Sequence, residues 1–186
     1  MIDPACRLER ASRPRQDRHI EFFTCDRLRQ SCFSLAYSMH KNVTGKDLAK
    51  ESPRSPRIRV GGYAILGRTI DKCRALVAGN IGEYHFDCPL DNMLFGFKGI
   101  KGDDFKAQIE QGASDQQMAE WVDQAGEKKT PEEVKHWADE VEATRPYDDP
   151  ERRDWFIEQT KPLGLDPAKT TLFDWLEVDD KASHAA

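Results

Sequence analysis

The stretch Thr130-Pro131-Glu132-Glu133-Val134-Lys135-His136-Trp137-Ala138-Asp139-Glu140-Val141 decides the fold class. A threonine ahead of a proline is a helix start. The hydroxyl accepts from an early backbone N–H, and proline lacks a donor that the first turn cannot use anyway. Glu133, three residues after Thr130, completes a reciprocal cap. Val134, Trp137, Ala138 and Val141 then recur at the spacing of one helical face. Just upstream, Ser114 and Gln117 repeat the signal, with Met118, Trp121, Val122 and Ala125 on one face and Gly126 as the stop. Glu120-Trp121-Val122-Asp123 and His136-Trp137-Ala138-Asp139 look like offset copies, but a pair is too few for a repeat architecture.

Working outward, the same punctuation recurs. Asp103 or Asp104 opens a helix carrying Phe105 and Ile109 and closed near Gly112. Cys88-Pro89 starts another, with Asp91 in its first turn and Leu90, Met93, Leu94 and Phe97 on its buried side. Gly61-Gly62 precedes a helix whose stripe is Leu66, Ile70, Cys73, Leu76 and Val77. Thr69, Asp71, Lys72 and Arg74 fall off that stripe and are expected to face water or a cleft. Towards the end, Asp149-Pro150 opens a helix through Trp155 and Phe156, and Thr170-Thr171 leads into a last one with Leu172, Phe173, Trp175 and Leu176. The alternation over 83–87 reads as one short strand without a clear partner. The expected fold is therefore all-α, about six short helices with one short strand near 83–87.

A chain of 186 residues suits one domain able to bury a core without staples. With 33% charged residues and mean hydropathy −0.74 it holds no apolar run near the ~18 residues of a membrane span. Its net charge of −5 gives no general attraction to nucleic acid or anionic lipid. Five cysteines without paired spacing fit reduced thiols, so a cytoplasmic location is expected.

The first 38 residues differ from the rest. They hold seven arginines, no lysine and three of the five cysteines, and their net charge of +2 leaves −7 for the remainder. Five acidic residues argue against a transit peptide, and no apolar core is present for a secretory signal. The compositional break favours Met39 as the true initiator, with 1–38 expected to be disordered. Residues 39–60 read as an extended basic arm, since Pro53 and Pro56 hold it out of helix. The helical domain is expected over 61–179, with a disordered polar tail over 180–186.

Reactive groups concentrate in Gly82-Glu83-Tyr84-His85-Phe86-Asp87-Cys88-Pro89-Leu90-Asp91. A cysteine at a helix N-terminus meets the positive end of the dipole and can serve as a nucleophile. His85 is the expected base, and Asp87 or Asp91 the group that orients it. Adjacent carboxylates oppose the dipole at the thiol, and catalytic sets are more often assembled from distant segments; the alternative is a packing cysteine with His85 bonded to backbone. His85 and Cys88 also have the spacing of half a zinc site, with Asp87 or Cys73 as further ligands. No second tight pair accompanies them, so no metal or other cofactor is assigned. A third reading is a binding cleft in which Tyr63, Tyr84, Asp87, Lys72, Arg74 and the arm residues Arg54 and Arg57 hold a small anionic ligand or an acidic protein segment. Against it, the arm has the chain's own acidic exterior to lie on. The tryptophans fall in helical register, which marks Trp121 and Trp137 as core residues rather than stacking platforms for nucleic acid.

Several phrases recur together: Ser52-Pro53-Arg54-Ser55-Pro56-Arg57, Gly61-Gly62-Tyr63, Asp71-Lys72-Cys73-Arg74-Ala75, the 82–91 stretch, Leu163-Gly164-Leu165-Asp166-Pro167 and Thr170-Thr171-Leu172-Phe173-Asp174-Trp175-Leu176. Their order resembles the bacterial family catalogued as domain of unknown function 5069, over roughly Lys46 to Asp179. The resemblance implies a domain boundary and carries over no catalytic residue. From the residues themselves, the leading reading is a binding or interaction module using Tyr84–Asp91, and the alternative is a small thiol-dependent enzyme with Cys88 as nucleophile and His85 as base. No phosphate-cradling loop, dinucleotide fingerprint, HExxH or GxSxG motif is present.

Overall fold

Thr130 and Glu133 cap each other as their spacing requires: Thr130 Oγ1 accepts from the Glu133 N–H at 3.2 Å, and Glu133 Oε2 accepts from the Thr130 N–H at 2.7 Å. Ser114 with Gln117, Thr171 with Asp174 and Cys88 with Asp91 build the same reciprocal cap. Four helix starts are thus fixed by local chemistry alone.

The computed structural model describes residues 43–184. In chain order its helices are α1 (Leu66–Ala78), α2 (Pro89–Lys98), α3 (Gly102–Glu110), α4 (Asp115–Gln124), α5 (Pro131–Glu142), α6 (Arg153–Thr160) and α7 (Leu172–Ser183). Short 3-10 turns lie at Pro146–Asp148 and Lys161–Leu163. The fold is all-α, and no helix among the described residues is long and apolar enough to cross a membrane. The questions of the initiator and of order in 1–38 lie outside the described residues.

Two apolar clusters form the interior. The first gathers Tyr63, Leu66, Ile70 and Cys73 with Phe95, Phe105, Ile109, Met118 and Val122, so that α1 packs on α2, α3 and α4. The second joins Ala64, Ile65, Ala138 and Val141 to Phe156, Leu172, Phe173 and Trp175. Residues 63–66 feed both clusters, and Trp137 packs against each, stacked on Phe97 with centroids 4.6 Å apart. Ile65 adopts φ 67°, an uncommon left-handed conformation for a β-branched residue, and its fully buried side chain holds it there.

Three expectations are corrected. Residues 83–87 form two turns instead of a strand, with Asp87 at φ 60°, and the described chain offers them no strand to pair with. Thr69 and Asp71 meet neither water nor a cleft: they are 0% and 6% exposed, because this part of α1 runs between its neighbours, whereas Lys72, though 2% exposed, does line a cleft as expected. The tail expected from 180 instead continues α7 to Ser183, since Asp180 is buried and bound by Arg68. Ahead of the helices, Leu48 is buried and its N–H donates to the Asn80 carbonyl, so the arm belongs to the folded unit.

Candidate functional site

Lys72 lies one turn after Arg68 on α1, and both cations point away from the apolar stripe. Each is neutralised by an acid from a distant segment. Lys72 Nζ donates to Asp91 Oδ2 at 2.8 Å, to the Cys88 sulfur at 3.2 Å and to the His85 carbonyl at 3.1 Å. An ammonium has three donors, and all three are used. Asp91 is fully buried, and Thr69 Oγ1 donates to its other oxygen at 2.8 Å. The Cys88 sulfur therefore accepts twice, from Lys72 and from the Asp91 backbone N–H at the start of α2.

The turn that brings Cys88 here is packed closely at two glycines. A Cβ at Gly82, where φ is +62°, would lie 2.8 Å from the Leu48 carbonyl oxygen. A Cβ at Gly102 would lie 2.6 Å from Asp87 Oδ2. The first contact is with backbone at a left-handed residue, so the turn requires glycine at 82; the second is with the end of the exposed Asp87 side chain, which would have to swing aside. Asn92 adds bonds from its Nδ2 to the carbonyls of Asp87 and Cys88 at 3.0 and 3.1 Å.

Arg68 makes a two-pronged ion pair with Asp180, at 2.6 and 2.9 Å. Tyr84 Oη donates to Asp180 Oδ1 at 3.0 Å and lies 3.2 Å from His184 Nε2. The Arg68 guanidinium lies over the Tyr84 ring, 5.5 Å from its centroid. Burial, reinforced by Asp180, pushes the Tyr84 phenol up to about 12. Burial also raises the neighbouring Asp179 carboxyl above its ordinary range, with Asp180 adding to the effect.

Between these two clusters opens a cavity of about 710 Å³. Its polar side is Arg68, Lys72, Tyr84, His85, Cys88 and the end of α7. Its apolar side is Leu90 and Met93 from α2, Trp155 from α6, and Leu172, Trp175 and Leu176 from α7. Trp155 and Trp175 meet edge to face at 5.5 Å. Their two indole N–H groups are buried without a hydrogen-bond partner among the described residues. Unpaired buried donors are rare enough to need an explanation.

Of the residues expected to form the site, the structure brings together Lys72, Tyr84, His85 and Cys88 around the cavity, with Asp91 behind them. His85 is exposed, and the group it offers the cluster is its carbonyl; among the described residues its imidazole makes no hydrogen bond to Cys88. Lys72 occupies the position expected of His85. The remaining candidates lie elsewhere. Tyr63 is buried in the first apolar cluster, its Oη donating to Asp123 at 3.3 Å and its phenol pushed up to about 12, mainly by burial. Arg74 pairs with Asp115 at 2.6 Å. Arg54 binds Asp71 and Asp115, and Arg57 binds Glu142, Asp174 and Glu177. The arginine arm thus clasps the domain's own acids, which leaves it no open fork for an external anion. Asp87 is exposed beside Gly102, outside the cavity. Among the described residues no group of three His, Cys, Asp or Glu side chains is placed to hold a metal ion.

Sequence reasoning missed Arg68, Trp155, Trp175, Asp180 and His184. Arg68 sits one turn before Lys72, and that pairing of cations on a helix otherwise rich in apolar residues was the available signal. For Asp180 and His184 there was none, because a polar C-terminal stretch reads as a tail.

These features define an all-α domain with one amphipathic side cavity beside a capped cysteine. The chain belongs to the family described as domain of unknown function (DUF5069), whose model matches residues 50–182. No curated protein matches the chain.

Proposed function

We propose that this domain binds a small organic molecule, apolar along one side and polar at one end, in the cavity between α1, the 82–88 turn and α7. The observation that carries this reading is the cavity itself. Its volume of about 710 Å³ falls within the range of ordinary ligand sites, and its mostly apolar wall converges on a few fixed polar groups. Trp155 and Trp175 supply large rigid surface, while Lys72, Tyr84 and Cys88 supply the orienting end. The ion pairs of Lys72 and Arg68 hold those groups in place before any ligand arrives, which reduces the ordering cost of binding.

The probe for this reading is 1-anilinonaphthalene-8-sulfonate, itself an apolar body with one anionic end. Bound in the cavity, it gains fluorescence with saturable, single-site behaviour. Met93→Trp fills the cavity from α2 and is expected to weaken the dye by at least about tenfold, which is ~1.4 kcal/mol of lost affinity. Unchanged dye binding by a Met93→Trp protein that still unfolds cooperatively would show that the dye sits elsewhere, and the reading would be abandoned.

One observation favours a second reading, a thiol-dependent enzyme with Cys88 as nucleophile. The sulfur lines the cavity, sits at a helix N-terminus and receives a hydrogen bond from an ammonium at 3.2 Å. Positive potential at a sulfur supports nucleophilic chemistry. In this reading Lys72 stands where His85 was expected but acts as the cationic partner of the sulfur, since an ammonium with all three donors engaged has no lone pair to serve as a base.

A further inference from the structure

The Lys72–Cys88 pair has chemistry of its own, independent of any occupant of the cavity. The nitrogen lies 3.2 Å from the sulfur, and both belong to residues lining a cavity that a small oxidant can enter. Lys72 is held in place at 2% exposure by Asp91 and the His85 carbonyl. Cys88 is partly exposed, while Cys73, the other cysteine among the described residues, is fully buried in the first apolar cluster. A cysteine that is oxidised and then meets a nucleophile within reach is captured before it climbs to irreversible acids.

We propose that Lys72 and Cys88 form a reversible sulfur–nitrogen bridge when the protein meets a hydroperoxide. In the first step the Cys88 sulfur attacks the outer peroxide oxygen. The O–O bond breaks, the alcohol or water leaves, and Cys88 becomes a sulfenic acid. In the second step the Lys72 ammonium passes a proton to Asp91, which already accepts its hydrogen bond at 2.8 Å. The freed amine attacks sulfur, the S–O bond breaks, and the oxygen departs as water carrying a second proton from the nitrogen. Sulfur loses two electrons and the peroxide gains two. The balance is one thiol, one ammonium and one hydroperoxide giving one S–N bridge, one alcohol or water, one further water, and the proton now on Asp91.

The buried cluster accommodates this change. Bridging removes the charge of Lys72, and the proton delivered to Asp91 removes the opposite charge, so no lone charge is left in the interior. The bridge leaves one N–H where Lys72 had three donors, so the nitrogen can no longer bond both Asp91 and the His85 carbonyl, and the hold on the 82–88 turn at one side of the cavity is weakened. A thiol reductant reverses it by attacking the bridged sulfur.

The test uses the full chain, treated with hydrogen peroxide at neutral pH, digested with trypsin and read by mass spectrometry. The bridge blocks cleavage after Lys72 and joins Thr69–Arg74 to Ala75–Lys98, at the summed mass less two hydrogens. The expected result is this linked pair in the majority of chains, with cleavage restored by dithiothreitol. A Cys73–Cys88 disulfide has the same mass deficit but leaves the bond after Lys72 cleavable, and the linkage must also persist in Cys73→Ala. Cys88 found as sulfinic acid with Lys72 still cleaved overturns the proposal. So does a linkage that requires Cys73, or one that retains an oxygen atom. None of these outcomes bears on dye binding, so the bridge and the cavity reading fail separately.

Discussion

Removing the charge of Lys72 is the sharpest test of how this site is held together. In Lys72→Met the methionine replaces the stem's volume but leaves Asp91 at 0% exposure without its cation. Thr69 Oγ1 at 2.8 Å remains as its chief donor. Breaking a buried pair from one side costs about 3–5 kcal/mol, because the remaining charge stays out of water. Domains of this kind are stable by about 5–15 kcal/mol in total, so the variant keeps only part of its margin. Urea unfolding followed through the four tryptophans gives the free energy directly. The control is Lys72→Met combined with Asp91→Leu, which removes both charges. Apolar replacement of a whole pair is often close to neutral, so the double variant should be more stable than the sum of the singles predicts by about 2 kcal/mol. A Lys72→Met cost below about 1 kcal/mol, or strict additivity, would mean that the pair does not anchor the 82–91 segment.

Further outcomes follow from the same geometry. In the native protein iodoacetamide should label Cys88 and spare Cys73, whose burial pushes its thiol up to about 12; equal labelling before unfolding would refute the placement of the two thiols. Stability should fall as pH rises from about 10 towards 12. The phenols of Tyr63 and Tyr84 keep their protons in the fold up to about 12 but lose them near 10 once unfolded, so the unfolded state releases protons first. Tyr84→Phe should flatten part of that alkaline limb in pH-dependent melts. On the acid side, Asp139 is held at about 2 by Lys135 and Arg59, and Asp115 and Asp174 are lowered as well, each with an arm arginine among the causes. These contributions are complete above about 4 and are lost as pH falls below it, for Asp139 through about 2, so Arg57→Ala, which removes one of the causes at Asp174, should reduce the slope of acid unfolding.

The fold was largely legible because its helix starts are written locally. Ser114, Thr130 and Cys88-Pro89 each announce a cap within three residues, and every one is built as spelled. The 83–87 segment misled because alternation of Tyr84 and Phe86 with His85 and Asp87 has a strand's period, while Gly82 and the left-handed Asp87 bend it into turns. The stripe of α1 holds at Leu66, Ile70 and Cys73 but not at Leu76, which is 38% exposed, and of the polar side expected to meet water or a cleft, Lys72 does line the cavity while Thr69 and Asp71 are covered. Periodicity reports which face is apolar; it does not report whether the other face is covered. Thr69 and Lys72 are covered because Asp91, 22 and 19 residues away, accepts from both, and Asp71 because Arg54, 17 residues away, donates to it. Such pairings over distance leave no trace in local spacing.

The same consideration locates the site. A helix that is buried all round is ordinarily apolar all round, because each interior charge costs several kcal/mol unless it is well paired. The helix α1 instead carries Arg68, Asp71 and Lys72 into the interior, each matched by a partner from another segment. Apolar replacement of a whole buried pair is often neutral or stabilising, so stability is a weak reason for keeping these charges. Asp71 has a structural use, since with Asp115 it fastens the Arg54 arm. Arg68 and Lys72 differ from it in one respect: both line the cavity. Their ion pairs fix Tyr84 and Cys88 at its polar end, where a rearrangement of either pair would change the shape of the wall. Charges that are expensive, fully paired and directed at an open cavity are what the proposed binding role would require of its polar end.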